Sequence, residues 1–99
     1  MQLTDTQRRF LRGRAHALKP VIQIGGAGLT DAVVRETERA LNDHELIKVR
    51  FRGAERGARD ASFGELAQRT GSALVDRIGH VAVLYRPRES EPRLLIPDA

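Results

Sequence analysis

The sequence predicts an α/β fold of order αβαβαββ, a four-stranded mixed sheet with helices packed on it. Three observations predict it. Segments with apolar residues at helical spacing alternate with short apolar or strictly alternating runs. Strand-like runs joined through helices are expected to lie parallel. The last two are separated only by Gly79-His80, a pair that suits a type II′ hairpin turn and adds an antiparallel pair.

The first helix starts at Thr4, where Thr4-Asp5-Thr6-Gln7 fits a capping box. Leu11, Ala15 and Leu18 recur at helical spacing and are expected to face the core, with Phe10 at the edge. Arg8, Arg9, Arg12 and His16 share another face. The helix ends before Lys19-Pro20, because a residue preceding proline disfavours helix. Val21 to Ile24 reads as a short buried strand, followed by the loop Gly25-Gly26-Ala27-Gly28. Thr30 is a good N-cap for a second helix, and Leu29 and Val34 are placed to form a hydrophobic staple. Val33, Val34, Thr37, Ala40 and Leu41 make its inner stripe, and Asn42-Asp43-His44 its exit.

Leu46 to Arg52 is the clearest strand. Ile47, Val49 and Phe51 alternate with Lys48, Arg50 and Arg52, so one face is apolar and the other cationic. Gly53 to Gly57 reads as a loop. Arg59 to Thr70 reads as a third helix with Phe63, Leu66 and Ala67 inward and Gly71 as its stop. Ala73 to Ile78 and Val81 to Arg86 form the hairpin, ended by Pro87. Residues 1–88 are read as one domain. Residues 89–99 form a tail or an extra edge strand, with one apolar patch at Leu94-Leu95-Ile96.

With 99 residues and an apolar fraction of 40%, the chain can build one compact core. There is no cysteine, which excludes disulfides and thiolate metal sites. No apolar run approaches the ~20 residues of a membrane span. The N-terminus lacks the charged-then-apolar pattern of a signal peptide, so a cytoplasmic location is expected. His16, His44 and His80 have no metal-like spacing, and Glu36 and Glu38 point in different directions on their helix. No nucleophile elbow is present. The sequence therefore predicts neither enzyme chemistry nor a cofactor or metal.

The net charge is +4, which favours a polyanionic partner. The charge is unevenly laid out. Residues 1–28 hold five cations and one acid, and residues 47–53 hold three cations and no acid. Residues 29–46 hold two cations and five acids, so the second helix must turn its acids away from any phosphate backbone. Between the two cationic segments lies the glycine loop. Glycines let a backbone approach a ligand closely, and the helix that follows presents unpaired N–H groups. The loop is neither a P-loop nor a dinucleotide fingerprint. A tight strand-to-helix turn is its plain structural alternative, as ordinary solvated faces are for the arginines.

The residues also carry a family resemblance. Leu18-Lys19-Pro20, the loop Gly25–Gly28 followed by Leu29-Thr30, His44-Glu45-Leu46-Ile47-Lys48-Val49, and Leu84-Tyr85-Arg86-Pro87 stand in the order and spacing of the CRM (chloroplast RNA splicing and ribosome maturation) domain. The chain resembles its single-domain bacterial YhbY-like form over nearly its whole length. The resemblance implies a fold like the C-terminal domain of translation initiation factor three. It implies a GxxG loop that contacts RNA, as in KH domains. It also implies a role in ribosome biogenesis on precursors of the large-subunit rRNA, plant relatives acting in group II intron splicing. Carried over by position, it points to Gly25, Gly26, Ala27 and Gly28, with Lys48 and Arg86 at basic places of the pattern. Many members hold a basic or polar residue inside the GxxG, whereas Gly26-Ala27 stands here. Binding is then left to backbone N–H groups and flanking arginines.

Together these readings predict an RNA-binding protein, monomeric and non-enzymatic. Its phosphate contacts would come from Arg8, Arg9, Arg12, Lys19, Lys48, Arg50, Arg52 and Arg86 around Gly25–Gly28. The rival is a protein-interaction module that docks on a ribosomal or other protein through Leu94-Leu95-Ile96 or the acidic second helix.

Overall fold

Apolar periodicity of two kinds forces this chain into layers. The computed structural model describes residues 1–53, 56–92, 94, 96 and 97. Its elements are α1 (Asp5–Ala15), β1 (Pro20–Ile24), α2 (Asp31–His44), β2 (Leu46–Phe51), α3 (Arg56–Thr70), β3 (Ala73–Ile78) and β4 (Val81–Tyr85). The sheet order is β1-β2-β4-β3. β1 and β2 are parallel, and β4 lies antiparallel to both β2 and β3. This is the expected four-stranded mixed sheet.

The alternation along β2 divides the core in two. Ile47, Val49 and Phe51 join Ile22, Ile24, Ala82 and Leu84 under α2 and α3, whose Leu41, Phe63 and Leu66 close that layer. Leu46 points the other way and joins Val75, Val83 and Tyr85 under Leu11 and Ala15 of α1. The two layers carry most of the stability, since full burial of each large aliphatic side chain contributes about 1.5–3 kcal/mol.

Local signals set most boundaries. The Thr4–Gln7 capping box forms with both reciprocal hydrogen bonds, and Thr30 Oγ1 accepts from the Val33 N–H. Gly71, at φ +64, ends α3 in a Schellman motif: the Ser72 N–H donates to Ala67 O and the Gly71 N–H to Gln68 O. Ile78 pairs with Val81 across the two-residue turn, with Gly79 at φ +59, the position that a type II′ turn reserves for glycine.

Three expectations change. Leu18 does not face the core: α1 ends at Ala15, so Leu18 lies beyond the helix and is 36% exposed. The third helix begins at Arg56, not Arg59, because its first turn is exposed and carries no apolar signature. The C-terminal segment makes no strand among its described residues. Instead Leu94 and Ile96 pack against the α1-side core, and Gln7 Nε2 donates to Pro97 O at 2.8 Å. Leu95, and residues 54 and 55 of the expected loop, lie outside the described residues.

Candidate nucleic-acid interface

The parallel pairing of β1 and β2 brings their C-terminal ends to one end of the sheet. The glycine loop leaves β1 there, and Arg52 leaves β2. The Arg52 N–H donates to Ile24 O at 2.9 Å, so Arg52 sits beside the start of the loop. The antiparallel β4 brings the β3–β4 turn to the same end, where the Phe51 N–H donates to His80 O at 2.8 Å. Arg50, Phe51, Arg52, Gly53, His80 and Val81 line an open cleft of about 730 Å3.

The loop is a tight turn in which the Gly28 N–H donates to Gly25 O at 3.0 Å. Gly28 has φ +78, a conformation that favours glycine. Gly25 and Gly26 differ: neither has a positive φ, and an added Cβ at either would meet nothing within 4 Å. Within the loop, only Gly28 has a conformational reason to be glycine. The loop is exposed from Gly25 to Ala27 and presents backbone, with one methyl group, to solvent. Gly53 has another reason: a Cβ there would come 2.3 Å from Cε1 of the Phe51 ring.

Strand register defines the surface beside the loop. Gln23 pairs with Arg50, Arg50 with Val81, and Val81 with Ile78, so these four side chains form one row across the sheet. The row is on the α1 side, but α1 covers only Leu46, Val75, Val83 and Tyr85 further along that face. Gln23, Arg50 and Ile78 are exposed and Val81 is half-buried. The side chains of Arg50 and Arg52 make no hydrogen bond or ion pair with other described residues. Their guanidinium groups stand free next to the glycine loop.

The other predicted cations are placed differently. Arg9 is exposed on α1 without a partner among the described residues. Lys19 is exposed at the start of β1, so about 16 Å of strand separates it from the loop. Arg8 and Arg12 reach β3. Arg8 Nη1 donates to Leu74 O and Val75 O, both at 2.7 Å, and Arg12 pairs with Asp76 at 3.3 Å. Lys48 Nζ donates to Leu18 O at 3.0 Å and ties down the α1–β1 connection. Arg86 donates to Glu38 Oε2, Thr70 O and Asn42 Oδ1, which joins β4 to α2 and α3. Arg8, Lys48 and Arg86 therefore act first as struts of the fold.

Two of the acids of α2 are paired. Glu38 meets Arg86 at 2.8 Å, and Asp31, at the start of α2, meets Arg69 at 3.2 Å. Gln23 and His80 complete the surface. The sequence signal for Gln23 was its place as the one polar residue in an apolar strand, at the position facing away from Ile22 and Ile24. Among the described residues no group of three or more His, Cys, Asp or Glu could hold a metal ion. None of their helices is long and apolar enough to cross a membrane.

The chain matches the CRS1 / YhbY (CRM) domain over residues 3–86. It is 46% identical over 95 residues to an RNA-binding protein of Haemophilus influenzae, covering 96% of this chain and 95% of that protein. It is 37% identical over 98 residues to a probable RNA-binding protein of Methanocaldococcus jannaschii, covering 95% of this chain and 71% of that one. The solution structure of the hypothetical protein SAV1595 from Staphylococcus aureus superposes with a TM-score of 0.83 at 31% identity, covering 97% of this chain and all of that one. The register of the four motifs, the αβαβαββ order and the glycine loop at the end of β1 thus converge: this chain belongs to the CRS1 / YhbY (CRM) domain family.

Proposed function

We propose that this chain is a non-enzymatic RNA-binding protein of the cytoplasm, acting as a monomer in ribosome assembly on precursor large-subunit rRNA. The observation that carries the RNA-binding reading is the pair Gly25 and Gly26. The fold does not require glycine there, yet both stand exposed beside two unpartnered arginines. A polymer backbone approaching the loop closely accounts for that choice, because any side chain would hold it off. The names of the relatives in Haemophilus influenzae and Methanocaldococcus jannaschii support the same reading. The assembly role rests on the family resemblance.

In this reading Gly25, Gly26, Ala27 and Gly28 offer main-chain N–H groups, and Arg50 and Arg52 bind phosphates. Arg9 extends the basic surface. Arg12 contributes from a half-open ion pair, while Arg8, Lys48 and Arg86 hold the frame. The tail docking rival loses ground, since Leu94 and Ile96 are packed inward.

Gly26→Asp is the informative substitution. Its side chain has room and no unfavourable φ, so folding is retained, while a carboxylate enters the phosphate path. Gel-shift affinity for precursor large-subunit rRNA fragments should fall by at least about tenfold with an unchanged melting temperature, the loss of roughly one charge-assisted contact. Unchanged affinity would remove the loop from the site.

A further inference from the structure

We propose that this face reads helical RNA, through backbone and groove shape, and not the unstacked bases of a single strand. The inference rests on the RNA-binding reading and narrows its substrate class.

Single-strand readers place aromatic rings where successive bases stack, each such contact contributing about 1–3 kcal/mol. This chain has four Phe and Tyr residues, all among the described residues, and none stands exposed: Phe51 lines the cleft beside the loop but is only 9% exposed. Phe51 and Phe63 are buried and meet edge to face at 6.3 Å. Tyr85 is buried under α1. Phe10 packs against the same cluster, and the Arg14 guanidinium lies 6.0 Å from its ring centroid. The open row of the sheet is Gln23, Arg50, Val81 and Ile78, with no ring in it.

A second way to hold a splayed strand is an aliphatic groove beside a glycine loop. Here the apolar groove is at the wrong end. It is lined by Leu18, Val21, Leu46, Ile47 and Leu94, at the N-terminal ends of β1 and β2. The glycine loop lies at their C-terminal ends, where its neighbours are Arg50, Arg52 and His80. What stands next to the loop is mostly charge and backbone, with the His80 imidazole as the exposed ring among its described neighbours. Charge and backbone are the groups that recognise double-helical RNA, whose phosphates and 2′-hydroxyls are read by shape. A loop without long side chains is slim enough to approach such a groove, and Arg50 and Arg52 beside it meet its phosphate edges.

The test compares three probes with the full-length chain at fixed salt: an RNA hairpin, a single-stranded RNA of the same length without self-pairing, and a B-form DNA duplex matching the hairpin stem. The hairpin should bind at least about tenfold more tightly than the single strand, the deficit of one missing stacking contact. It should also bind more tightly than the DNA duplex. The double variant Arg50→Ala/Arg52→Ala should weaken hairpin binding and lower its salt slope by about 0.9 per lost phosphate contact. Equal or tighter binding of the single strand overturns this inference and leaves the RNA-binding reading standing. Equal binding of the DNA duplex reduces recognition to charge and overturns it as well. Failure to bind either RNA removes both readings, and a double variant with unchanged hairpin affinity moves the site elsewhere.

Discussion

Glu45 is the residue whose role is least visible in the sequence and most evident in the structure. It caps α2 at φ +65 and is fully buried, although neither glycine nor asparagine marks the position. Its N–H donates to Leu41 O at 2.8 Å, and its own carbonyl accepts from Arg86 N at 2.9 Å. The carboxylate accepts from the Arg88 N–H at 2.9 Å and the Leu94 N–H at 2.8 Å, which binds the C-terminal segment to the end of α2. Hydrogen bonds to an ionised acceptor are the stronger kind. Glu45→Gln keeps the volume but removes the charge and one acceptor oxygen. It should cost about 1–3 kcal/mol and raise amide exchange selectively around Leu94; uniform exchange would refute the anchor. Tyr85 gives a second test at this scale. Burial first, and the Glu45 carboxylate second, push its pKa above the ordinary 10.0. The folded state thus favours the neutral phenol. The resulting stability is complete below pH 10.0 and is lost as pH rises through the higher folded value. Tyr85→Phe should shallow the alkaline stability loss in denaturant titrations above pH 10.0, with little change at neutrality.

At the scale of elements, the strand and helix assignments were readable because each rests on a local signal: the Thr4 and Thr30 caps, the alternation from Ile47 to Arg52, Gly71 and Gly79. The features that escaped are tertiary. The register of β3 shifts between Leu74 and Asp76, so Val75 and Asp76 together face Val83, and both turn toward α1. No glycine announces that bulge. The sequence places Arg8 among the phosphate contacts, yet it donates to the two carbonyls there. The side-chain pattern of β2 correctly put Lys48 and Arg50 on one face. It could not show that Lys48 is held by Leu18 O while Arg50, one pair along, is free. The sequence reads the direction of a side chain well and its engagement poorly, because engagement depends on what another element leaves unsatisfied.

For the whole molecule, the cations divide into two populations that make opposite predictions. The Arg8 and Arg86 side chains join α1 to β3 and α2 to β4, whereas those of Arg50 and Arg52 join nothing among the described residues. Arg8→Ala and Arg86→Ala should each lower stability by about 1–3 kcal/mol, since they strand half-buried acceptors. They should leave the salt dependence of RNA binding intact. Arg50→Ala and Arg52→Ala should change stability by less than about 0.5 kcal/mol, as surface substitutions do, and should flatten the salt dependence. Thermal melts and salt titrations on all four variants separate the two groups, and a salt slope altered by Arg86→Ala would merge them.

The docking of α1 has a consequence for how the chain becomes native. Its inward residues Leu11 and Ala15 share one core cluster with Leu46, Val75, Val83 and Tyr85, against which Leu94 and Ile96 also pack. The first helix therefore finds most of its partners in β3 and β4, far along the chain, with Leu46 of β2 the nearer exception. Until those strands are in place α1 has an exposed apolar stripe, and a helix of 11 residues is marginal alone in water. Such long-range pairing slows folding, because the loop between the partners must close before their contacts form. The α2–α3 side of the sheet can begin to assemble from nearer neighbours, so protection in pulse-labelled refolding should reach β1 and β2 before α1.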